Sequence, residues 1–600
     1  MKIVLAEKDI LVDKIIMKKY KLIASPAKNN INIQSGDLVL WANEILKIWG
    51  KQEYGELEIS DYVIPTWSKS IETIDSWHNE LLGLYDHFLH ILSPILDCYH
   101  NTSYGVKGWN YLLGYWLFTF IQSIHDKVNQ VMWIKDNGIS IDYNYDNDYF
   151  IVEDRDDYSF FSIRDYQQMA DVLDYFDGVE RENNLLPYIT KRNQLTEESE
   201  IDDKETHIFN KRHRNKSLLV DDRYLNAHMV VLYFVSLGRI NKYNCINSHV
   251  INENIDIKAR KSYLSNIDEH KDYNHIEFLV ASTLWKNLPI CLFEGFKLYS
   301  QKWNKSHFVI PHKFMSTANV YCELETSLLA AETVSRGGKV YLVQHGGNYG
   351  LLKYVNESEW RRADKFFTWG WKGDLSEFFD TIQPIAFSKT LINNNRREYT
   401  GEKRPLLMCY SSVCSFSAYL DTIETLDYST IYMLENDFLK LIHSSKIKKI
   451  DIRPYIHDYE INRTKKIEAI CEKSDKCFLK TGDYYKSILS ASIVITCLIS
   501  TTYIETIYYD IPTMVIVPEE KYVFTQEAQS VVEDLQKLDV FVKTPKDAIR
   551  VIEKIYGRET EWWNEPSRKK TINEFKKLYC KKDLLGIKWH AVLLKEAFTR

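Results

Sequence analysis

The chain lacks the features that mark several whole classes of protein. Its ten cysteines form no C-x-x-C pair, and the closest spacings, Cys409/Cys414 and Cys471/Cys477, have no second pair to complete a zinc site. Reduced, mostly buried thiols in a cytosolic protein are expected. Glycine and proline are sparse, at 22 and 13 of 600 residues, which excludes fibrous and disordered classes. A dominant charge sign is missing as well: 76 Lys/Arg against 83 Asp/Glu leaves −7, with no basic field to attract nucleic acid. Long apolar runs are absent. Met1–Ala6 gives way to Glu7-Lys8-Asp9, too short for a signal peptide. The run from Gly108 to His125 carries Asn110, Gln122, Ser123 and His125, so it reads as a buried helix and not a membrane span.

What is present is a large globular chain: 45% hydrophobic and 26% charged residues over a length that calls for two large lobes or three to four smaller units. Trp77, Leu81, Leu82, Leu84, Tyr85, Phe88, Leu89 and Leu92 keep helical spacing, so the start reads as helical. Residues 140–205 are acidic and poor in apolar runs, and read as a peripheral, loop-rich insertion. From about 276 the grammar is βαβ: strands at 308–310 and 318–321, a helix over Leu328–Val334, and a strand over Lys339–Val343. The polar stretch 392–405 divides an N-terminal lobe, 1–395, from a second α/β lobe, 403–565. There strands are expected at Leu406–Tyr410, Ile447–Ile452, Ala491–Thr496 and Thr513–Val517, with helices over Tyr503–Tyr508 and from Thr544. Basic helices occupy 566–600. Two α/β lobes leave a cleft between the carboxyl ends of their strands.

Four constellations lie where chemistry would be expected. Gln344-His345-Gly346-Gly347-Asn348-Tyr349-Gly350 follows an apolar strand, where glycine admits a ligand to the backbone and imidazole can serve as a base or hold a phosphate. The plain alternative is a glycine turn with a structural histidine. Arg453 and His457, after another strand, suit a nucleotide phosphate; the alternative is an Arg453–Asp458 surface pair. Ser500-Thr501-Thr502 at a helix start offers hydroxyls and free amides to a phosphate, with Glu505 one turn on for ribose hydroxyls, or else it is an ordinary N-cap. Glu325 and Glu332, seven residues apart on one helix face, could act as nucleophile or acid/base; the alternative is that they only complement a helix dipole. The D-x-D triplet Asp154-Arg155-Asp156 lies in the acidic region and not after an apolar strand, so no metal and no cofactor are expected.

These segments, taken in order, carry a resemblance. The chain resembles the Leptospira-type family of bacterial surface-polysaccharide transferases, which is similar to retaining pseudaminic-acid and Kdo transferases that use CMP-activated sugars. The residues concerned are Tyr111–Leu117, 337–350, Ala363-Asp364-Lys365, Thr368–Trp371, 453–459, 500–513, Trp562-Trp563, Phe575 and Tyr579. The resemblance implies a GT-B fold, α/β with two Rossmann-like lobes facing a cleft, a helical N-terminal part and C-terminal helices. It implies a glycosyltransferase moving a nonulosonic or ulosonic acid from a CMP-sugar to an oligosaccharide or lipid-linked glycan acceptor, with retention, in capsule or lipopolysaccharide synthesis. His345 is assigned to catalysis, and Gly346, Gly347 and Asn348 to the donor, from the glycine-rich loop they form; the roles that follow are what the resemblance implies. Arg453 and His457 meet the nucleotide phosphate, Ser500, Thr501 and Thr502 the phosphate or cytidine, and Glu505 the ribose. Retention calls for a carboxylate nucleophile, assigned to Glu325 with Glu332 in reserve.

Two other readings share this grammar: a CDP-glycerol or CDP-ribitol phosphotransferase, and a non-catalytic glycan-binding scaffold. From Ser567 to Arg600 ten Lys/Arg outnumber three Asp/Glu, beside Phe575, Leu578, Trp589, Leu593 and Leu594. That tail reads either as a dock for the cytoplasmic face of the inner membrane or as a last helix crossing back over the first lobe.

Overall fold

The computed structural model describes residues 19–599 except 27–32, 56, 66–70, 144–146, 153–160, 189–217, 222–227, 244–253, 266, 268–272, 306–309, 318–319, 321–322, 354–356, 374–379, 389–401, 411–427, 456–462, 519–521 and 584–585. The chain packs into two units. The first holds Met1–Ile201, Asn247–Ser306 and Val413–Tyr419; the second holds Asp202–Ile246, His307–Ser412 and Leu420–Arg600.

In the first unit the apolar spacing from Leu81 to Leu92 closes into the buried face of α1 (Ile71–His100), which packs on α2 (Gly105–Asp136). The turn between them is tied by the Asp97 carboxylate, which accepts from the Tyr104 and Gly105 amides at 2.9 and 2.8 Å and from Trp109 Nε1 at 2.9 Å. Gly108 to His125 lies inside α2 and is largely buried, as expected. No helix of the described residues is long and apolar enough to cross a membrane. A parallel sheet in the order β3-β2-β1-β4 joins β1 (Lys19–Ile23), β2 (Leu38–Trp41), β3 (Ser60–Val63) and β4 (Ser140–Asp142).

The acidic region departs from expectation. The described residues of 148–188 hold β5 (Asp148–Val152) parallel to β6 (Asn184–Tyr188), with α3 (Phe161–Asp177) between them in a βαβ arrangement. Its acids are partly internal: Asp171 is bonded by Lys286 Nζ at 2.5 Å and Tyr149 Oη at 2.9 Å. Composition misleads here because a carboxylate can be buried once a distant lysine neutralises it. Residues 189–205 and the Asp154–Asp156 triplet lie outside the described residues.

Two histidines, His125 buried and His100 half-buried, give this unit an acid-sensitive core. His100 Nε2 is 3.0 Å from the Leu292 carbonyl, and His125 packs edge-on against Trp77. Burial pushes both down to about 4 from an ordinary 6.5. The unfolded chain therefore takes up these protons first, and the stability they confer is full above pH 6.5 and is lost as pH falls through 4. Each can cost up to about 3 kcal/mol over that window. Thermal unfolding measured across it is expected to show a smaller loss for His125→Gln than for the native chain; equal losses would contradict this assignment.

The second unit contains two parallel six-stranded sheets. The first runs β12-β11-β10-β9-β7-β8, from β7 (Leu218–Val220), β8 (Ile240–Lys242), β9 (Lys313–Ser316), β10 (Lys339–Val343), β11 (Lys365–Thr368) and β12 (Ile382–Pro384). Helix α4 (Met229–Val235) connects β7 to β8, and α5 (Leu324–Ser335) connects β9 to β10. A short α6 (Glu357–Trp360) precedes β11. The second sheet runs β15-β14-β13-β16-β17-β18, which is the Rossmann strand order. It is built from β13 (Arg404–Met408), β14 (Ile450–Arg453), β15 (Cys477–Leu479), β16 (Ala491–Thr496), β17 (Thr513–Ile516) and β18 (Phe541–Val542). Its helices include α7 (Tyr428–Ser444), α8 (Arg463–Glu472), α9 (Tyr484–Leu489), α10 (Thr501–Tyr508) and α11 (Pro545–Ile555). This is the α/β, GT-B class of fold, with two Rossmann-like lobes.

The strands at 339–343 and 491–496 fall where the sequence puts them. The first six-stranded sheet, however, begins at Leu218, well before 276. A strand that the sequence did not suggest forms at Lys313–Ser316; most residues of the strands expected at 308–310 and 318–321 lie outside the described set. All four residues of that strand are buried, so the polar Lys313 gave no alternation to read.

The basic tail forms α12 (Pro566–Tyr579) and α13 (Ile587–Phe598). Trp589 and Leu593 bury in one core with Val220, Met315, Tyr341 and Phe367 of the first sheet. Lys313 Nζ donates to the Glu596 carbonyl at 2.8 Å, and Lys365 is paired with the Glu596 carboxylate. The last helix thus crosses back to the first lobe, and the apolar side chains Trp589, Leu593 and Phe575 are consumed by packing.

Candidate functional site

The segment after β10 is held by Gln344, whose fully buried side chain bonds three ways. Its Nε2 donates to the Gly346 carbonyl at 2.8 Å, while its Oε1 accepts from the Trp369 amide at 2.9 Å and from Trp371 Nε1 at 2.8 Å. The Gly-rich loop and the Thr368–Trp371 turn are therefore one object. Gly350, at φ +72°, packs so tightly that a Cβ would lie 2.3 Å from the Trp371 ring.

At the tip of the loop the two lobes meet. A Cβ on Gly347 would stand 2.1 Å from the Ser500 carbonyl oxygen, and Tyr503 Oη donates to the Gly347 carbonyl at 2.8 Å. Further along, Thr525 Oγ1 donates to the Gly350 carbonyl at 2.8 Å, and the Lys353 amide to the Val523 carbonyl at 2.8 Å. The loop after β10 and the amino end of α10 are thus in backbone contact. Asn348 is 1% exposed, and its Nδ2 has no hydrogen-bond partner among the described residues. Such an orphan donor is costly unless something else accepts from it.

His345 is the partly exposed member of a buried set. Its Nδ1 is 2.9 Å from Tyr349 Oη and 3.3 Å from Glu359 Oε1, and Tyr349 Oη also donates to Glu359. Glu359 thus acts on the imidazole through Tyr349, whose hydroxyl meets Nδ1 and leaves Nε2 as the ring's other nitrogen. Sequence reasoning missed Glu359. It sits on the single-turn helix α6, with no motif around it.

In the second lobe Ser500 takes the N-cap position of α10 with extended backbone, but its side chain makes no capping bond. The helix amides are accordingly not closed off by the residue that would ordinarily do so. Glu505 is buried and accepts from Tyr484 Oη at 2.7 Å; the same hydroxyl lies 3.2 Å from Thr502 Oγ1. Burial, then the Glu505 charge, hold the Tyr484 phenol well above its ordinary value, so it stays a donor. Arg453, at the end of β14, donates to Ser487 Oγ at 3.0 Å and to the Gly482 carbonyl at 2.7 Å. Its guanidinium is tied to the loop before α9. His457 lies outside the described residues.

The two carboxylates assigned to catalysis part company. Glu325 is buried in the first turn of α5, which follows the carboxyl end of β9, on the same edge of the sheet as the His345 loop. Glu332 is in the last turn, bonded to Arg336 at 2.9 Å in an i, i+4 pair. Seven residues of helix, about 10 Å, separate them. Glu332 is therefore not among the groups brought together.

A second feature escaped the sequence. Glu435 of α7 and Arg463 of α8 form a fully buried pair, Nη2 to Oε2 at 3.1 Å, and Glu435 also accepts from the Tyr410 amide. It fixes the chain leaving β13, next to Cys409. Burial raises Glu435 to about 7 although the Arg463 charge opposes it. The partners are 28 residues apart on separate helices, and no periodicity links them.

The chain belongs to the LIC12162 family of transferases, whose sequence model matches residues 41–592. No curated protein matches it in sequence. Among solved structures it is similar to TarM, at 13% identity over 48% of this chain and 55% of TarM, with a TM-score of 0.31. It is similar also to a mutant Thermobaculum terrenum O-GlcNAc transferase, at 9% identity over 86% of this chain and 90% of that one, TM-score 0.30. A third is Phytolacca americana UGT2 in complex with UDP-2-fluoro-glucose and pterostilbene, at 10% identity over 63% and 99%, TM-score 0.31. The chain spans little more than half of TarM's length.

Proposed function

We propose that this transferase is a glycosyltransferase that moves a nonulosonic or ulosonic acid from a CMP-sugar to a glycan acceptor with retention. The observation that carries the reading is the contact of Gly347 with Ser500 and Tyr503, which sets a glycine loop against an uncapped helix start at the carboxyl ends of two Rossmann-like sheets. A nucleotide phosphate there would face the amides of Thr501 and Thr502 and the cation of Arg453, with Glu505 one turn on for the ribose. The buried Asn348 amide would gain its acceptor from the donor substrate. Cleaving a CMP–sugar bond expels a phosphate monoester, and fixed amides and a guanidinium stabilise that charge without a metal ion. Glu325 would attack the anomeric carbon, and His345, oriented by Glu359, would take the acceptor's proton when the sugar is passed on.

The test needs no acceptor. A ligand that binds only the folded chain stabilises it by RT ln(1 + [L]/Kd), about 2.7 kcal/mol at a hundredfold excess over Kd. Among millimolar CMP, CDP, UDP and GDP, only CMP is expected to raise the melting temperature, and Glu505→Ala is expected to abolish the shift. Glu325→Gln should keep the shift and lose transfer. Preference for CDP would favour the phosphopolyol enzyme, UDP or GDP would refute the donor, and no response would favour the scaffold.

A further inference from the structure

Helix α4 buries Met229 and Leu232 in the core that also holds Trp589 and Leu593. Its other face, Val230, Val231, Phe234 and Val235, is exposed together with the following Leu237; Phe234 is 70% and Leu237 77% accessible. Soluble chains rarely leave five neighbouring apolar side chains in water. Leu237 also holds φ +56°, a conformation usually left to glycine or asparagine. A leucine kept in that place lowers both solubility and backbone comfort, so folding does not explain it.

The helix beside it supplies the charge. The His228 amide donates to His590 Nε2 at 3.3 Å, and the Arg239 guanidinium stands 4.8 Å over the Phe598 ring, so α4 and α13 share one surface. Ile587 and Phe598 of α13 are exposed apolar residues too. Around them Arg239, Lys242, Lys588 and Lys595 are exposed. Within 228–243 and 586–599 the one carboxylate, Glu596, is buried against Lys313 and Lys365. The chain as a whole carries more acid than base, yet this face is basic.

An apolar ridge bordered by cations matches the two layers of an anionic bilayer, with acyl boundary for the ridge and lipid phosphates for the cations. We propose that α4 and the outer side of α13 form a docking face for an anionic lipid surface. The face deepens the proposed function by placing the enzyme where a lipid-borne glycan would be met, and rests on that reading only for the acceptor.

The full chain, sedimented with phosphatidylcholine vesicles with and without phosphatidylglycerol, is expected to bind the anionic vesicles and to release them as salt rises. Phe234→Ser with Leu237→Asn should weaken binding about ten-fold or more, because two inserted side chains are lost. Its melting temperature should not fall, since asparagine suits the left-handed position. Arg239→Glu, Lys588→Glu and Lys595→Glu should each weaken it roughly five-fold or more. All four variants should keep the CMP shift, so failure here is separable from failure of the donor reading. Undiminished vesicle binding by the variants, or no binding by the native chain, overturns the proposal. So does a self-association abolished by the Phe234/Leu237 changes without vesicle binding, which would make a second copy the occupant.

Discussion

Gly347→Ala is expected to lose both the CMP-induced stabilisation and at least about 100-fold of the release of CMP from a CMP-sugar donor, the scale on which a misplacement of about 1 Å acts. The reason is space and not backbone freedom. Gly347 is not among the glycines with positive φ, but its Cβ would come within 2.1 Å of the Ser500 oxygen and 2.8 Å of its carbon. The obstacle is main chain at the start of α10, which cannot swing aside as a side chain would. The two loops must separate, and the Tyr503–Gly347 bond goes with them. Overpacking of this kind costs about 1–3 kcal/mol, so the protein should still fold. Gly83→Ala is the control: nothing lies within 4 Å of its Cβ, and the change should stabilise α1 slightly. Thermal shift and CMP release on both variants decide the matter. Native-like behaviour of Gly347→Ala would mean that the loop contact is incidental to the donor site.

Breaking the Glu435–Arg463 pair should have the largest effect on stability, and the two halves should differ. Glu435→Ala leaves a guanidinium that is 1% exposed and cannot shed its proton, and a loss of about 3–5 kcal/mol is expected. Arg463→Met leaves a carboxyl that burial already holds up to about 7 even beside the arginine, and it can simply stay protonated. Its loss should be smaller at low pH and grow as pH rises. The sign follows from linkage: a carboxyl whose folded pKa is raised confers its stability below the unfolded 4.5 and loses it as pH climbs through the folded value. Urea unfolding of the single variants and of Glu435→Gln/Arg463→Met between pH 5 and 8 reads this directly. The double variant should recover most of the loss at every pH. Equal, pH-independent losses in the two single variants would contradict a buried charge pair.

Much of the α/β part is legible because its signals are local. Lys339–Val343 and Ala491–Thr496 are short apolar runs, and each strand ends a few residues before its glycine or Ser/Thr turn. The helical start is legible for the same reason, since the spacing of Leu81, Tyr85, Phe88 and Leu92 describes one face before any partner is known. The segments that form the candidate site were visible too, as QHGGNYG and STTYIE. What one residue does to another was not. Whether Ser500 caps its helix, whether Glu332 shares a site with Glu325, and that Glu359 stands behind His345 depend on where other elements come to lie.

The sequence by itself determined the α/β grammar and the loops of the candidate site, because each is written in residues close together in the chain, and the order of those segments carried the resemblance to the family. Only the tertiary structure decided that strands Asp148–Val152 and Asn184–Tyr188 of the acidic region pair in parallel, and that Trp589 and Leu593 of the last helix are buried against the first sheet. It also decided that an exposed apolar face lies on α4 instead. Burial and pairing depend on side chains brought together from far apart in the chain: Asp171 with Lys286, Glu435 with Arg463, Trp589 with Met315. Periodicity reports the face an element will hide, but the partner that hides it is chosen by packing.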